Sequence, residues 1–272
     1  MEDHLNFWQL LWGTVVYRPY VYAFLACFLV FATHHMGLKR MLTFMVSTYF
    51  VAFACEYSAT RNGFPFGYYK YYDVTRTREL WVSNVPFWDS LSFVFLSYFS
   101  YILAAAIVTP PSERNKGAWR GLGARATPWL GGLLMMLLDV VIDPLTLQGE
   151  KWFLGKIYDY PHNGFYFGVT AANFAGWWFV GFASQWFFQR YLELAPWCQG
   201  RWNNKLHPKF IWGVFAVYAG VFVFNLGITV YVKDYILLAA SLGVTTVTLA
   251  GILFSLKERT LFSFVRAKQC AS

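Results

Sequence analysis

Residues 88–109, WDSLSFVFLSYFSYILAAAIVT, form an apolar run in which Asp89 is the single charged residue. About 20 consecutive apolar residues in a helix suffice to cross the hydrocarbon core of a bilayer. Six similar runs lie at 19–37, 41–60, 127–147, 169–189, 209–232 and 235–256. The sequence therefore predicts an all-α, polytopic membrane helix bundle with about seven transmembrane helices, built as a single domain over residues 1–272.

The composition points to the same class. Hydrophobic residues make up 57% of the chain and charged residues 13%, with a mean hydropathy of +0.39. A soluble domain carries about twice that share of charge, so a water-soluble enzyme is nearly excluded. The net charge of +8 is not concentrated in a basic helix or a Lys/Arg run, so we expect no nucleic-acid partner.

The two chain ends differ from the spans. Residues 1–18 are apolar, short and rich in Trp, which is typical of an interfacial helix. Residues 257–272 form a basic tail. Of the 22 Lys and Arg residues, 14 flank the spans on the side of this tail and 8 flank the other side. The positive-inside rule then places the C-terminus in the cytoplasm and the N-terminus outside, in the plasma (cytoplasmic) membrane.

One short motif occurs twice. Residues 62–67, NGFPFG, follow the second span, and residues 163–168, NGFYFG, follow the fourth. Two helical hairpins related by a parallel pseudo-repeat would produce this pattern. A chance match between two aromatic-rich loops is the alternative.

Ionisable side chains inside a membrane are costly and are therefore functional candidates. In the predicted topology Glu56, Asp89, Asp139, Asp143 and Asn173 all lie toward the outer side, on four different helices. Asp139 and Asp143 are four residues apart and share one helix face, beside Pro144, which should bend or end the helix. Two such carboxyl groups cannot both ionise easily, so one serves as acid and one as base. The alternative is structural ion pairing with Arg61, Lys70, Arg76 or Arg78.

No cofactor or metal is expected. The five histidines lack the HxxxH and HxxHH spacing of membrane di-iron enzymes, and the four cysteines lack metal-binding spacing. No glycine-rich phosphate loop or dinucleotide motif is present. The chain is nevertheless 22% aromatic, and its rings either form interfacial belts or line a lipid pocket in which they stabilise a cation.

Two ordered blocks of sequence resemble a known family. The first is Glu56-Tyr57, then residues 61–72, RNGFPFGYYKYY, and Val85-Pro86; the second is residues 138–144, LDVVIDP, followed by residues 164–169, GFYFGV, and residues 173–177, NFAGW. They resemble the signatures of the integral-membrane carotenoid biosynthesis family, over about residues 50–190. The chain departs from the family pattern at residues 86–89, PFWD, which add an acid.

The resemblance implies a cofactor-free hydratase that acts on the end of an acyclic carotenoid, as the bisanhydrobacterioruberin hydratases do. Its partners would be a carotenoid or other isoprenoid lipid and membrane lipids. From the chemistry alone, Asp139 or Asp143 is the general acid, the other positions water, and Asn173 orients them. We also include Glu56 in the catalytic set. The expected substrate-binding residues are Phe66, Tyr68, Asp89, Tyr166 and Trp177.

The sequence leaves two alternative functions. A lipid- or pigment-binding subunit of a membrane assembly would use the same pocket without turnover. A lipid transporter is disfavoured by the lack of evident broken-helix pairs.

Overall fold

The computed structural model describes residues 6–109, 124–194 and 208–269. Within these ranges the chain is mainly helical, and its strands are all two residues long. The α-helices are α1 (Phe7–Tyr17), α2 (Pro19–Asn62), α3 (Phe87–Val108), α4 (Ala126–Thr146), α5 (Ala171–Leu194), α6 (Pro208–Val232) and α7 (Tyr235–Gln269). By length and composition, α2, α3, α4, α6 and α7 can each cross a membrane. The predicted all-α membrane bundle is confirmed.

Helix α2 is 44 residues long and contains the first two predicted spans. Its backbone leaves the helical conformation at Gly37, where φ is +78° and ψ is +163°. Glycine tolerates this positive φ without a side-chain clash. The helix therefore has a first arm before Gly37 and a second arm after it. Pro19 starts the first arm, and Gly63 ends the second in the left-handed conformation.

Helix α3 lies at the centre of the bundle and is buried along almost its entire length. Helices α2, α4, α5, α6 and α7 pack around it. Helices α4 and α5 are in close contact at Gly132. A Cβ atom at this position would lie only 2.6 Å from the Trp178 carbonyl oxygen, so the absence of a side chain permits the approach. On the periphery, Val223 and Val230 of α6 and Val247 of α7 expose more than half of their surface, as expected for helices that contact lipid.

The loops after α2 and after α4 cover one end of the bundle. They contain β1 (Lys70–Tyr71), β2 (Trp81–Val82), β3 (Val85–Pro86) and β4 (Tyr158–Asp159). Strands β2 and β3 form a hairpin, whereas β1 pairs with β4 and so joins the two loops. We call residues 63–86 and 147–170 the cap. It contains the second NGFxFG segment and all of the first except Asn62, and their pseudo-repeat stays a prediction.

Helix α1 packs on the cap. The Thr14 hydroxyl accepts a 2.8 Å hydrogen bond from the Leu80 amide, and Trp8 and Trp12 are exposed. These exposed rings fit the predicted interfacial helix. The backbone of α7 remains helical through Gln269, and the side chains of residues 258–272, most of the predicted basic tail, lie outside the description. The domain limits and the orientation of the termini stay predictions.

Candidate active site

Two aspartates of α4 lie directly beneath the cap. Asp139 and Asp143 are one helical turn apart and are 0% and 6% exposed. The Asn173 amide, from the first turn of α5, donates 2.7 Å hydrogen bonds to the Oδ2 atoms of both. Helix α4 ends within one turn of Pro144, as the sequence predicts. We call Asp139 and Asp143 the aspartate pair, and Asn173 is the residue that bridges them.

Tyrosines of the cap complete the surroundings of this pair. The Tyr160 hydroxyl donates a 3.2 Å hydrogen bond to Asp143 Oδ2. The Tyr158 hydroxyl faces the same carboxyl group, but it and Asp139 Oδ1 have no hydrogen-bond partner among the described residues. Two carboxyl groups held this close in a buried site favour a state in which they share one proton.

A second acidic cluster lies beneath the cap, on other helices. Glu56 comes from the second arm of α2, and Asp89 comes from the first turn of α3. The Tyr71 hydroxyl hydrogen-bonds to Asp89 and lies 3.4 Å from Glu56 Oε1, while Ser90 Oγ donates to Glu56 Oε2. We call Glu56, Asp89, Ser90 and Tyr71 the glutamate cluster.

Burial keeps the cap tyrosines protonated. Removal from water, together with the nearby Asp89 carboxyl group, raises the pKa of Tyr71 well above its ordinary value. The pKa values of Tyr158 and Tyr160 are raised for the same reasons, with Asp143 as the neighbouring acid. These hydroxyl groups are therefore protonated at neutral pH, and those of Tyr71 and Tyr160 donate hydrogen bonds to the carboxyl groups.

The alternative of structural ion pairs is wrong for these acids. Arg61 binds the Tyr57 carbonyl oxygen and Asn84, and Arg76 pairs with Asp73 on the exposed surface. Within residues 6–109, 124–194 and 208–269, none of the four acids forms an ion pair with a Lys or Arg side chain. No group of three His, Cys, Asp or Glu side chains in these ranges could hold a metal ion.

A buried ion pair that no sequence pattern marks lies at the edge of the site. Arg18 binds Glu79 through two hydrogen bonds of 2.6 and 2.8 Å, and the two side chains are 1% and 0% exposed. Arg18 also donates to the Leu154 carbonyl oxygen and lies over the Trp88 ring at 4.5 Å. This pair ties the start of α2 to both cap loops.

One cavity of about 100 Å³ is bordered by acids of both groups, namely Asp143 of the aspartate pair and Glu56 and Asp89 of the glutamate cluster. Its walls are mainly apolar and aromatic. Phe66, Phe93 and Trp177 form one wall, where Phe93 and Trp177 stack with ring centroids 4.2 Å apart. Buried tyrosines of the cap also line it, namely Tyr69, Tyr71, Tyr158 and Tyr160. Such a cavity could hold a few water molecules or the end of an isoprenoid chain.

Most of the predicted site residues line this cavity, namely Glu56, Phe66, Asp89, Asp143, Asn173 and Trp177. Asp139 does not line it and is connected to it through Asn173. Tyr68 and Tyr166 also lie outside the lining, and Tyr68 is 51% exposed. Their role in substrate binding stays a prediction, as do the roles of the other predicted site residues.

The alternation of side chains around strand β1 explains why Tyr68 lies outside the cavity lining. Successive side chains on a strand point to opposite faces, so Tyr69 and Tyr71 are buried whereas Tyr68 and Tyr72 are exposed. Lys70, between Tyr69 and Tyr71, marks the exposed face of the YYKYY sequence and could have identified these two as the inward-facing tyrosines. Ser90 and Phe93 were also missed, and both lie on the α3 helix, whose apolar run gives no facial pattern.

A comparison with known protein families shows which family the chain belongs to. The model of the carotenoid biosynthesis protein family matches residues 15–249 and so covers most of the chain and the whole site. The chain belongs to the carotenoid biosynthesis protein family. No curated protein and no solved structure matches it significantly. For a carotenoid biosynthesis protein, a role in making carotenoids and an embedding in the membrane follow directly.

Proposed function

We propose that this carotenoid biosynthesis protein hydrates a terminal C=C bond of an acyclic carotenoid or related isoprenoid without a cofactor. The observation that carries the proposal is the pair Asp139 and Asp143, bridged by Asn173, of which Asp143 lines an aromatic cavity. Addition of water to an alkene needs a proton donor, a site that stabilises a cation, and a base for the attacking water. The residues around the cavity can supply all three.

Asp143 is the proton donor in this mechanism. It lines the cavity, whereas Asp139 does not, and the Asn173 amide and Tyr160 hydroxyl that donate to Asp143 Oδ2 stabilise the carboxylate that remains. The π electrons of the terminal double bond take the proton from Asp143 at the less substituted carbon. The positive charge then lies on the tertiary carbon.

Aromatic rings stabilise that cation. Phe93 and Trp177 are stacked, with Phe66 beside Phe93 at 5.9 Å between centroids. The negative faces of such rings attract a positive charge, and the attraction is strongest in a site from which water is excluded. Trp177 and Phe66 are 7% and 2% exposed, which satisfies this condition.

The glutamate cluster positions and deprotonates the water. A lone pair of the water oxygen forms the C–O bond, and one water proton passes to the carboxylate of Glu56 or Asp89, with Tyr71 between them. The sum is the addition of one water molecule. The proton that Glu56 or Asp89 took from the water then passes to Asp143, so all the carboxyl groups recover their starting protonation states.

Lycopene supplied to the purified protein tests this proposal. Turnover gives a product heavier by one water, with its hydroxyl group on the tertiary end carbon. Retention of unchanged lycopene would instead support a pigment-binding subunit of a membrane assembly. Protein purified with Asp143→Asn provides the matched sample for background hydration.

A further inference from the structure

The cavity is closed on one side and thinly covered on the other. Phe66, Phe93 and Trp177, on the closed side, are buried. On the other side, Tyr20 and Phe24 of α2 and Phe224 of α6 line the cavity but are only half-buried. These three rings therefore reach both the cavity and the outer surface of the bundle.

Aromatic side chains form this thin cover. The Tyr20 and Phe224 rings stack with centroids 5.1 Å apart, and Phe24 meets Phe224 edge to face at 6.4 Å. Phe24 also stacks on Phe95 of α3 at 5.7 Å. Side-chain rotations are fast compared with helix movements, so rotation of these rings would open the cover without displacing a helix.

Glycines on α6 shape the seam between α6 and the first arm of α2. Gly213, Gly220 and Gly227 are seven residues apart and so lie along nearly one helix face. A Cβ atom on Gly213 would lie 2.7 Å from the Phe31 ring, and one on Gly220 would lie 3.8 Å from Phe24. One on Gly227 would meet no described atom within 4 Å. The seam is thus tight near Gly213 and widens toward the level of the cavity.

The outer surface beside the seam is apolar. Leu29 and Val30 of α2 and Val223 of α6 are exposed, and both helices are long and apolar enough to cross a membrane. A group that enters here comes from the hydrocarbon region of the bilayer. The cavity of about 100 Å³ holds the end of an acyclic isoprenoid and leaves the remaining chain to lie outside it.

We infer that the seam between the first arm of α2 and α6 is the lateral entrance for an acyclic isoprenoid chain, whose reacting end occupies the cavity while its tail extends past Phe24 and Phe224 into the bilayer. The inference rests on the proposed function for the choice of substrate. The Tyr20, Phe24 and Phe224 rings are the gate of this entrance. Polar groups of the site remain at its inner end, where Asn225 of α6 lines the cavity.

A filled seam is the direct test. Gly220→Leu places a branched side chain against Phe24, whereas the control Gly243→Leu fills a separate groove between α7 and helices α3 and α4. Each variant is placed in phosphatidylcholine vesicles that contain lycopene, and the pigment retained per protein is measured after purification. Misfit in an apolar site costs roughly 10–200-fold in binding, so we expect at least tenfold less lycopene on Gly220→Leu. We expect wild-type retention on Gly243→Leu.

Unchanged retention by Gly220→Leu, or the loss confined to Gly243→Leu, would overturn the entrance. If Gly220→Leu does not fold, Phe224→Ala decides the matter, because removal of the gate ring should speed lycopene uptake severalfold; an unchanged uptake rate contradicts the inference. Both measurements report binding alone. A wild-type protein that retains lycopene without hydrating it removes the proposed function and leaves this test valid.

Discussion

Tyr71 of β1 and Tyr158 of β4 are directly paired across an antiparallel two-stranded sheet, with ring centroids 6.1 Å apart. Tyr71 hydrogen-bonds to Asp89, and Tyr158 faces Asp143. The pairing therefore brings a donor for each acidic group to one cavity. Because the two strands belong to different cap loops, the geometry of the site depends on the cap as well as on helix packing.

Asp143→Asn should abolish most activity and preserve the fold. Asparagine keeps the shape of the side chain but cannot donate a carboxylic proton, so we expect a rate loss of about 10²–10⁴. No described Lys or Arg pairs with Asp143, so its neutralisation leaves no unmatched charge. Hydration rate and thermal unfolding are measured together. Asp159→Asn, at an exposed cap carboxylate, is the control. Full activity of Asp143→Asn would refute the assigned donor.

Tyr71→Phe tests the role of the glutamate cluster. The change removes one hydroxyl from between Asp89 and Glu56 while the ring stays in place. We expect a rate loss on the order of tenfold or more, with a stability cost of about 1–3 kcal/mol for the buried acceptors left unpaired. Tyr72→Phe, whose ring is exposed on the other face of β1, is the matched control. Equal rates for the two variants would remove Tyr71 from the mechanism.

Arg18→Met should destabilise the protein strongly. It leaves the buried Glu79 carboxylate without its partner, which costs about 3–5 kcal/mol of unfolding free energy. Arg76→Met breaks an exposed ion pair with Asp73 and should cost about 0–1 kcal/mol. Thermal or denaturant unfolding in detergent compares the two. Similar stability of both variants would show that the Arg18 pair does not hold the cap.

Asp234 makes stability depend on acidity at the start of α7. Its Oδ1 accepts the Leu237 amide at 3.0 Å, and this hydrogen bond lowers the pKa of Asp234 below its ordinary value. The ionised form is therefore favoured in the folded protein. Its contribution is present above the ordinary pKa of Asp, about 3.9, and is lost as pH falls through the lower folded value.

The corresponding variant is Asp234→Ala. At neutral pH it should lose about 1 kcal/mol of unfolding free energy, as is typical for a helix N-cap. The difference from wild type should shrink as pH falls below about 4, because the wild type then loses the ionised cap. Unfolding curves across this pH range measure it, and a difference that grows on acidification would contradict the sign.

The sequence predicted the membrane spans because hydrocarbon selects strongly for uninterrupted apolar helices. It also predicted the acids of α2, α3 and α4, since charged groups are rare in such helices. Their convergence followed from the predicted topology, which placed Glu56, Asp89 and Asp143 toward one end of the bundle. The structure brings all three to the lining of one cavity.

The remaining contacts depend on pairings between distant parts of the chain. The cap tyrosines reach the acids because β1 pairs with β4, nearly 90 residues later. Arg18 meets Glu79 across 61 residues, and no local pattern marks either one. Asp139 and Asp143 share a helix face in the sequence, yet of the two only Asp143 lines the cavity, while Asn173 hydrogen-bonds to both. Such distinctions arise from tertiary packing.

The most direct measurement of the central claim is isotope incorporation by the purified wild-type protein in lipid vesicles that contain lycopene. In ¹⁸O-labelled water the product hydroxyl on the tertiary end carbon should carry ¹⁸O. In D₂O the adjacent carbon should carry one deuterium from the Asp143 carboxyl group, and Asp143→Asn should give neither label. Recovery of unlabelled, unchanged lycopene from folded wild-type protein would contradict the hydratase account.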